Sequence, residues 1–408
     1  MKYRRTSVTV WLVLAVLLLG VPRQTAAAEP SRAAAGSSWI GFATNTFWLP
    51  QKEGYSYLRQ LRAGGITWIR EDFNWSLLEP QRGRYVWRVT DALMRNASLL
   101  GIHVLATAAY SPGWASGHPE SDKYPPTNVA DYARFVRAVA DRYGRGGTFW
   151  RLNPRLRPSP VTAIELWNEP WIGEFWASAP DATVYARLVR AAATAVKARH
   201  RAITLLASAD INDLNPTWFS SLLRADPALW RSNLVNAWSV HPYCHADSPF
   251  VSALPAPETF DRVLLTRDLA RQFGAGKPLW ITEFGWRTDQ GGPDAVSEDA
   301  QARFVRDALV RVRTEWASFI TRAFVYTWTK PELEDDYNLL RPDGSARPAW
   351  FAIKQLIQSW SVSRVPDRDG GPRPSGRVDA RQAPRPSSAP TRAANPGTRS
   401  QRTSYPPA

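Results

Sequence analysis

Eight short apolar segments, each followed by a longer amphipathic stretch, are the feature that most limits the folds open to this chain. They are WIGFA (39–43), ITWIR (66–70), IHVLATA (102–108), AIELWNE (163–169), ITLLAS (203–208), AWSVHPY (237–243), PLWITEF (278–284) and AFVYTW (323–328). Helical patterns cover stretches between them, such as 128–143, 182–200 and 298–314. Eight strand–helix units between Trp39 and Ile357 predict a single (β/α)8 barrel, the TIM-barrel form of the α/β class.

The first residues have the features of a secretory signal peptide. Lys2, Arg4 and Arg5 form a positive start, an apolar run covers 8–21, and three alanines at 26–28 offer a cleavage site. The run is shorter than the roughly 20 residues that a membrane span needs. We therefore expect residues 1–28 to be removed and the mature protein to be secreted, without stable membrane insertion. Tethering to the membrane by an uncleaved signal segment is the alternative.

The last residues, 361–408, consist mainly of Pro, Arg, Ser, Ala and Gly and have almost no large apolar side chains. Such a segment cannot bury enough apolar surface to offset the cost of ordering it. We predict a disordered basic tail after one barrel domain at 29–360. Its charge could bring the tail into contact with an acidic polymer or the cell wall.

The formal net charge of +15 is concentrated outside the predicted barrel. The leader carries +4 and the tail +6, which leaves about +5 for the barrel itself. A nucleic-acid-binding protein would instead show a basic stripe with interleaved aromatic residues. No nucleic-acid partner is therefore expected.

Neither a disulfide nor a metal site is predicted. The single cysteine, Cys244, has no second cysteine to pair with and is expected to be a small buried hydrophobe. The histidines lack metal-ligand spacing, and the acidic segment at 331–336 lacks the regular oxygen-ligand spacing of a calcium loop. We expect no metal ion and no organic cofactor.

Two glutamates lie at the ends of apolar segments that should form barrel strands. Glu169 closes the fourth segment and Glu283 lies near the end of the seventh. Active sites of these barrels form at the C-terminal ends of the strands, so the two carboxyl groups should meet there. A pair in which one acid is protonated and the other ionised is the minimum apparatus for cleaving a glycosidic bond. Glu169 and Glu283 fit these two roles.

Polar residues near the same strand ends would complete the site. Asn168 is placed to bond a substrate hydroxyl, and Arg70 could keep Glu283 ionised through its charge and hydrogen bonds. Tyr243 could donate to the same carboxylate. Glu165, deeper on the fourth segment, is expected to be a buried partner for an arginine or a histidine.

Side-chain alternation along each strand predicts which residues face the barrel interior. The sets expected to share that face are Glu165, Trp167 and Glu169; Leu279, Ile281 and Glu283; His241 and Tyr243; and Phe324, Tyr326 and Trp328.

Aromatic residues at or just after the strand ends are candidate platforms for sugar rings, because a ring face can cover the apolar face of a pyranose. They are Trp48, Trp75, Tyr110, Trp114, Trp171, Trp176, Trp286 and Trp328. Trp114, Trp171, Trp286 and Trp328 are the ones we assign to substrate binding, while others should belong to the core.

Several of these motifs resemble those of the clan A retaining glycoside hydrolases. WNEP at 167–170 is similar to the clan's acid/base motif and ITEFGW at 281–286 to its nucleophile motif. The stretches 65–87, 104–116 and 337–356 resemble its second strand, third strand and closing segment, so that the resemblance covers 39–357. Within the clan the chain looks closest to family 39 and to family 5-like bacterial β-glycosidases, which include biofilm-polysaccharide hydrolases.

The resemblance implies retaining hydrolysis of β-glycosidic bonds in an oligo- or polysaccharide. It makes Glu169 the acid/base and Glu283 the nucleophile, and its further site residues are Asn168, Arg70, His241, Tyr243 and Trp328. A transglycosylase would use the same residues, since an acceptor sugar can take the place of water. A non-catalytic carbohydrate-binding barrel is a third possibility, although a binding protein has no need for the glutamate pair.

Overall fold

The computed structural model describes residues 39–212, 214–250, 256–288, 294–328 and 337–362. The predicted signal peptide, the tail beyond residue 362 and the acidic segment at 331–336 lie outside these ranges. The strands are β1 (Ile40–Ala43), β2 (Trp68–Asn74), β3 (His103–Ala109), β4 (Ala163–Leu166), β5 (Thr204–Ser208), β6 (Ala237–Val240), β7 (Leu279–Phe284) and β8 (Ile320–Tyr326).

Helices connect the strands and follow the last one. They are α1 (Gln51–Ala63), α2 (Trp75–Leu78), α3 (Arg88–Leu100), α4 (Gly113–Ser116), α5 (Val129–Tyr143), α6 (Thr148–Leu152), α7 (Ala182–Lys197), α8 (Trp218–Ala225), α9 (Pro227–Arg231), α10 (Arg262–Gln272), α11 (Glu298–Thr314) and α12 (Pro348–Val362). Short 3₁₀ turns cover Thr46–Trp48 and Ala256–Glu258. None of the helices in the described part of the chain is long and apolar enough to cross a membrane.

The eight strands form a closed parallel barrel in sequence order. Each strand pairs with the next, and β8 returns to β1 with Ile40 opposite Ala323. This confirms the (β/α)8 fold predicted from the apolar segments. The helix α12 ends at Val362, just past the domain boundary predicted at residue 360.

A layer of side chains fills the lower part of the barrel, with one residue from each of seven strands. They are Trp68, Leu105, Ala163, Leu206, Ala237, Trp280 and Phe324. The strand β1 contributes Gly41 beside this layer, where a Cβ atom would lie 2.4 Å from the ring of Phe324. Because large rings from β2, β7 and β8 occupy the interior, only a residue without a side chain fits at this point of β1.

The outer helices begin where polar side chains satisfy their free backbone N–H groups. Asn128 accepts from Ala130 at the start of α5, Asp181 accepts from Thr183 and Val184 at the start of α7, and Ser297 accepts from Ala300 at the start of α11. The three helices predicted from sequence are therefore confirmed, with α7 ending at Lys197 rather than at residue 200.

Candidate active site

Arg70, on β2, is the centre of a hydrogen-bonded network at the C-terminal end of the barrel. Its Nε donates to Glu165 Oε2 at 2.6 Å, its Nη1 to Glu283 Oε1 at 2.6 Å and its Nη2 to Asn168 Oδ1 at 2.7 Å. The side chain is only 5% exposed. Burial disfavours the guanidinium charge, but attraction by Glu165 and Glu283 outweighs it and raises the pKa of Arg70. Arg70 is therefore a fixed buried cation.

Glu165 joins four strands through one fully buried carboxylate. Besides Arg70 on β2, it accepts from Thr107 Oγ1 on β3 at 2.8 Å and from Thr282 Oγ1 on β7 at 2.9 Å. Burial alone would favour the neutral acid, yet Arg70 and His241 lower the pKa of Glu165 below its usual value. The expectation that Glu165 is the buried partner of an arginine is confirmed.

Glu283 is held from two sides. Arg70 binds one carboxylate oxygen, and the Tyr243 hydroxyl donates to the other at 2.7 Å. His241 Nδ1 lies 3.7 Å from that second oxygen. Both contacts expected from the sequence are present, so the carboxylate has a fixed orientation toward the mouth of the barrel.

The position of Glu283 depends on an irregularity in β7. Trp280 belongs to the barrel interior and Thr282 bonds Glu165 there, whereas Leu279 and Ile281 pack with the outer core. The register between β7 and β8 shifts between Ile281 and Phe284. That shift allows Glu283 to reach the mouth although strict alternation would point it outward. The predicted grouping of Leu279 and Ile281 with Glu283 was wrong.

Glu169 reaches the site through a bent backbone after β4. The strand ends at Leu166, and both Trp167 (φ 77°) and Glu169 (φ 41°) adopt left-handed conformations. Trp167 is fully buried and packs on Tyr132 and Trp176, with its Nε1 donating to Phe175 O at 2.9 Å. The prediction that Trp167 faces the barrel interior was wrong, because the strand stops before it.

His241 ties Glu169 to the buried network. Its Nδ1 lies 2.6 Å from Glu169 Oε1, and its Nε2 lies 2.9 Å from Thr282 Oγ1. The Thr282 hydroxyl already donates its hydrogen to Glu165, so it must accept from His241 Nε2–H. One proton therefore lies between His241 Nδ1 and Glu169 Oε1.

The pKa values of this pair agree with a proton held at neutral pH. Burial raises the pKa of Glu169, although the bond from His241 opposes the shift. Burial opposes the charged form of His241, but the charge of Glu283 and the contact with Glu169 raise its pKa to about 9. Glu169 thus has a transferable proton within its own hydrogen bond.

One ligand atom from each of Glu169, His241 and Glu283 lies within 4.8 Å of the others. Such spacing would also suit a metal ion, for which these three side chains are the candidate ligands. The atoms are already engaged, however, because Arg70 lies 2.6 Å from Glu283 and His241 lies 2.6 Å from Glu169. A buried guanidinium at this distance repels a metal cation, so hydrogen bonds within the protein account for the cluster.

The predicted aromatic platforms differ in their placement. Trp171 packs edge-on against His241, with ring centroids 5.5 Å apart, and is 3% exposed. Trp114 is partly buried, donates to Glu79 O at 2.8 Å and lies beneath Arg82. Neither position shows a broad open ring face beside the two glutamates.

Trp286 and Trp328 are buried in the core. Trp286 packs with Phe260, Phe284 and Phe304, and Trp328 packs with Phe42 and Trp350. Each is 1% exposed, so neither ring is open to a sugar in this structure. This corrects the expectation that they are sugar platforms, and it separates Trp328 from Phe324, which faces the barrel interior.

Two tyrosines that were not among the candidate sugar platforms contact Tyr243, the residue that donates to Glu283. Tyr326, at the end of β8, and Tyr337, in the following loop, contact Tyr243 with centroid distances of 6.2 and 5.4 Å. All three are partly exposed. Tyr326 was predicted from alternation to share the inner face with Phe324, whereas no local pattern indicates Tyr337.

Glu71, the neighbour of Arg70, secures the loop after β1. It accepts from Thr44 Oγ1 at 2.6 Å, from Thr46 N at 2.8 Å and from the Thr46 hydroxyl. Burial raises the pKa of Glu71 to about 7 even though these hydrogen bonds oppose the shift. The loop after β1, on one side of the barrel mouth, is therefore held in place by a buried acid.

The free energy of unfolding should depend on the protonation of Glu71. Its pKa in the folded state is about 7, against an ordinary value of about 4.5 for a glutamate in water. The folded state therefore binds this proton more tightly than the unfolded state, and the resulting stabilisation is complete below about pH 4.5 and lost as pH rises through about 7. The free energy of unfolding should fall by at most about 1.4 kcal/mol per pH unit in this window, the limit for one proton. Urea unfolding at several pH values should show this fall in wild type and a flatter profile in Glu71→Gln. Parallel profiles would contradict the assignment.

Comparisons with known proteins agree with this architecture. The sequence model of glycoside hydrolase family 42, described as beta-galactosidase, matches residues 48–143. That stretch contains Arg70 but neither Glu169 nor Glu283. Among curated protein sequences, none matches the chain significantly.

Solved structures share the fold at low sequence identity. A family 39 glycoside hydrolase from Bacteroides cellulosilyticus WH2 is 20% identical with a TM-score of 0.59; the match covers 79% of this chain and 64% of that one. Xylanase 10B from Thermotoga maritima is 16% identical with a TM-score of 0.55, covering 81% and 97%. A GH5_18 protein from Streptomyces cattleya in complex with GlcNAc is 14% identical with a TM-score of 0.58, covering 81% and 82%.

The chain therefore shares the closed barrel of these glycoside hydrolases, and its residues 48–143 also match the sequence model of one glycoside hydrolase family. The chain spans about two thirds of the length of the family 39 structure and nearly all of the xylanase. The resemblance to the clan A glycoside hydrolases that its motifs indicated is confirmed.

Proposed function

We propose that the protein hydrolyses β-glycosidic bonds of an oligo- or polysaccharide with retention of anomeric configuration. The observation that carries this proposal is the pair of carboxyl groups at the mouth, with oxygens of Glu169 and Glu283 within 4.8 Å of each other. Retaining glycosidases hold their two carboxyl groups about 5–5.5 Å apart, whereas inverting ones need roughly 6.5–9.5 Å to admit a water. The close pair favours retention.

The environments of the two acids favour different roles. Glu169 shares a proton with His241 and is the more exposed of the pair, with 12% of its side chain accessible against 9% for Glu283. It can therefore protonate the oxygen of the leaving group. Glu283 accepts from Arg70 and Tyr243, which stabilise the negative charge that a nucleophile needs.

The proposed reaction has two steps. In the first, a Glu283 oxygen forms a bond to the anomeric carbon while the bond to the leaving oxygen breaks and takes the Glu169 proton. In the second, Glu169 accepts a proton from water, and the water oxygen displaces Glu283 from the sugar. Two inversions at one carbon give net retention. Before the first step the single proton of the pair can be shared with His241, because the two atoms lie 2.6 Å apart; after that proton has passed to the leaving oxygen, the pair regains one from the attacking water.

The choice of sugar is a separate question from the chemistry. The similar structures include a xylanase and a protein holding GlcNAc, and these names support the class of substrate rather than one sugar. Secretion and a polysaccharide substrate remain sequence-based proposals, as does contact between the tail and an acidic polymer. The partly exposed cluster of Tyr243, Tyr326 and Tyr337 offers aromatic surface next to Glu283.

A panel of aryl β-glycosides should reveal the activity and its stereochemistry. The panel would contain p-nitrophenyl β-D-glucoside, galactoside, xyloside, mannoside and N-acetylglucosaminide, together with β-linked polysaccharides. For any substrate that is cleaved, proton NMR should show the β-anomer as the first product. An α-anomer formed first would contradict retention, and products extended by a sugar would identify transglycosylation.

A further inference from the structure

Asp72 carries a carboxylate at the mouth of the barrel that the proposed mechanism does not use. It follows Arg70 by two residues on β2, so both side chains lie on the inner face, and Asp72 is closer to the C-terminal end. The pairing of β2 with β3 places it opposite Thr107, which bonds Glu165. Arg70 and Glu165 are buried, but Asp72 is partly exposed. Asp72 therefore lies between the buried network and the open mouth.

A wall of fixed side chains stands beside Asp72. Tyr110 follows β3 in a left-handed conformation and is 5% exposed. The Lys123 ammonium lies 3.4 Å from the centroid of the Tyr110 ring and 5.6 Å from that of Phe175. Ala177 N donates to Lys123 O at 3.0 Å, which joins the loop after β3 to the loop after β4. The wall is thus held by several independent contacts.

The wall leaves the Asp72 oxygens free. Lys123 pairs with Asp122 at 3.3 Å, and Asp122 also accepts from Asn74 Nδ2 at 3.0 Å. The pKa of Asp72 responds to burial and to the charges of Arg70, Glu283, Lys123 and Glu165. Among the residues that the structure describes, none donates a hydrogen bond to its carboxylate. Burial and the charge of Glu283 raise the pKa of Asp72 to about 6, although Arg70 opposes the shift.

The other carboxylates of the mouth are each hydrogen-bonded. Glu165, Glu169 and Glu283 all have contacts of 2.6 Å to Arg70 or His241. A partly desolvated carboxylate without donors costs free energy, and that cost is recovered when donors reach it. At Asp72 the space for such donors is the mouth itself, where the substrate binds.

We propose that Asp72 selects and orients the sugar attacked by Glu283 by accepting hydrogen bonds from two neighbouring hydroxyl groups. This inference rests on the proposed function. A carboxylate only accepts hydrogen bonds, so a hydroxyl is favoured at these positions over hydrogen, fluorine or a methyl ether. An ammonium group is disfavoured, because it would meet the positive charges of Arg70 and Lys123. The sugar at this position is therefore a neutral one with adjacent free hydroxyls.

Asp72→Asn tests this role because it keeps the shape and replaces one acceptor oxygen by a donor. On the best substrate of the aryl glycoside panel, kcat/KM should fall about 10- to 100-fold, the loss expected for a hydrogen bond to a charged group. The matched control is Asp307→Asn on α11, which removes the same charge outside the mouth and should leave kcat/KM unchanged. Equal thermal unfolding of both variants would show that the fold is intact.

Monodeoxy and deoxyfluoro forms of the same substrate identify the hydroxyl groups. Compared with the intact substrate, the two analogues that lack a contacted hydroxyl should be cleaved more slowly by wild type. The activity of Asp72→Asn, already lower on the intact substrate, should fall little further on these two analogues. The proposal would be overturned if wild type lost activity equally on all analogues, or if Asp72→Asn lost no activity on the intact substrate.

A binding measurement separates this inference from the proposed hydrolysis. Calorimetry with the β-linked disaccharides of all the sugars in the panel would compare Glu169→Gln with Glu169→Gln/Asp72→Asn on each disaccharide that binds. A Kd about 10-fold or more weaker in the double variant supports Asp72 even if wild type cleaves nothing, a result that would overturn the hydrolytic function alone. Equal Kd values, or no binding by either variant, would overturn the role of Asp72.

Discussion

Glu283→Ala and Glu169→Ala should both lose hydrolysis, and azide should restore turnover of an activated aryl β-glycoside in each with opposite stereochemistry. In Glu283→Ala the missing carboxylate leaves space below the anomeric carbon. Azide can attack there while Glu169 protonates the leaving group, which gives an α-glycosyl azide. In Glu169→Ala the activated group leaves unaided and Glu283 forms the glycosyl-enzyme. Azide then attacks from the vacated acid/base side, which gives a β-glycosyl azide.

The expected losses without azide are large. Removing a general acid costs typically 10²–10⁴-fold, so Glu169→Ala should lose about that factor on substrates with poor leaving groups and less on activated aryl glycosides. Glu283→Ala should lose activity on both kinds, since no covalent intermediate can form. The azide products would be identified by NMR. The same anomer from both variants, or equal small losses, would refute the assignment of the two roles.

Arg70→Met should strongly destabilise the protein as well as inactivate it. The substitution removes bonds of 2.6 Å to both Glu165 and Glu283 and leaves these carboxylates in a nearly closed site. Breaking a buried ion pair by removing one partner costs about 3–5 kcal/mol. Urea unfolding at neutral pH should show a loss of this size. Arg70→Lys should recover only part of it, because one ammonium cannot bind three acceptors in the same geometry.

A double variant tests the cause of this loss. Glu165→Gln removes the charge that Arg70→Met leaves uncompensated, so Arg70→Met/Glu165→Gln should be less destabilised than the sum of the two single variants. Its activity should stay low, because Glu283 still lacks its donor. Strict additivity in stability, or a loss below about 1 kcal/mol for Arg70→Met, would show that the ion pairs are not what the substitution disrupts.

The sequence was sufficient for the fold and for the central contacts of the site. Periodic apolar segments are encoded locally, and the rule that barrel sites form at C-terminal strand ends brings distant residues together. Arg70 and Tyr243 were thus expected to reach Glu283, and both do. The depth of Glu165 on the fourth strand led to the prediction of an arginine or a histidine as its buried partner, and that partner is Arg70.

The details that sequence reasoning missed arise from backbone irregularity and distant packing. Alternation assumes an unbroken strand, so it fails at the register shift before Glu283 and at the left-handed Trp167. Whether Trp286 and Trp328 are open to a sugar depends on rings from remote segments, such as Phe304 and Trp350. Asp72 was within reach, but the second strand was predicted to end at Arg70 and continues to Asn74.

The hydrogen-bonded network around Glu165 is built from residues of the barrel strands. Arg70, Thr107, Glu165 and Thr282 all belong to strands, and their mutual bonds involve no loop residue. Tyr110, Lys123 and Tyr337, in contrast, come from the connecting segments. Changes in the segments that carry Tyr110, Lys123 and Tyr337 would therefore leave this network intact, whereas Glu169, His241 and Tyr243 lie just beyond β4 and β6 and depend on the loops that follow those strands.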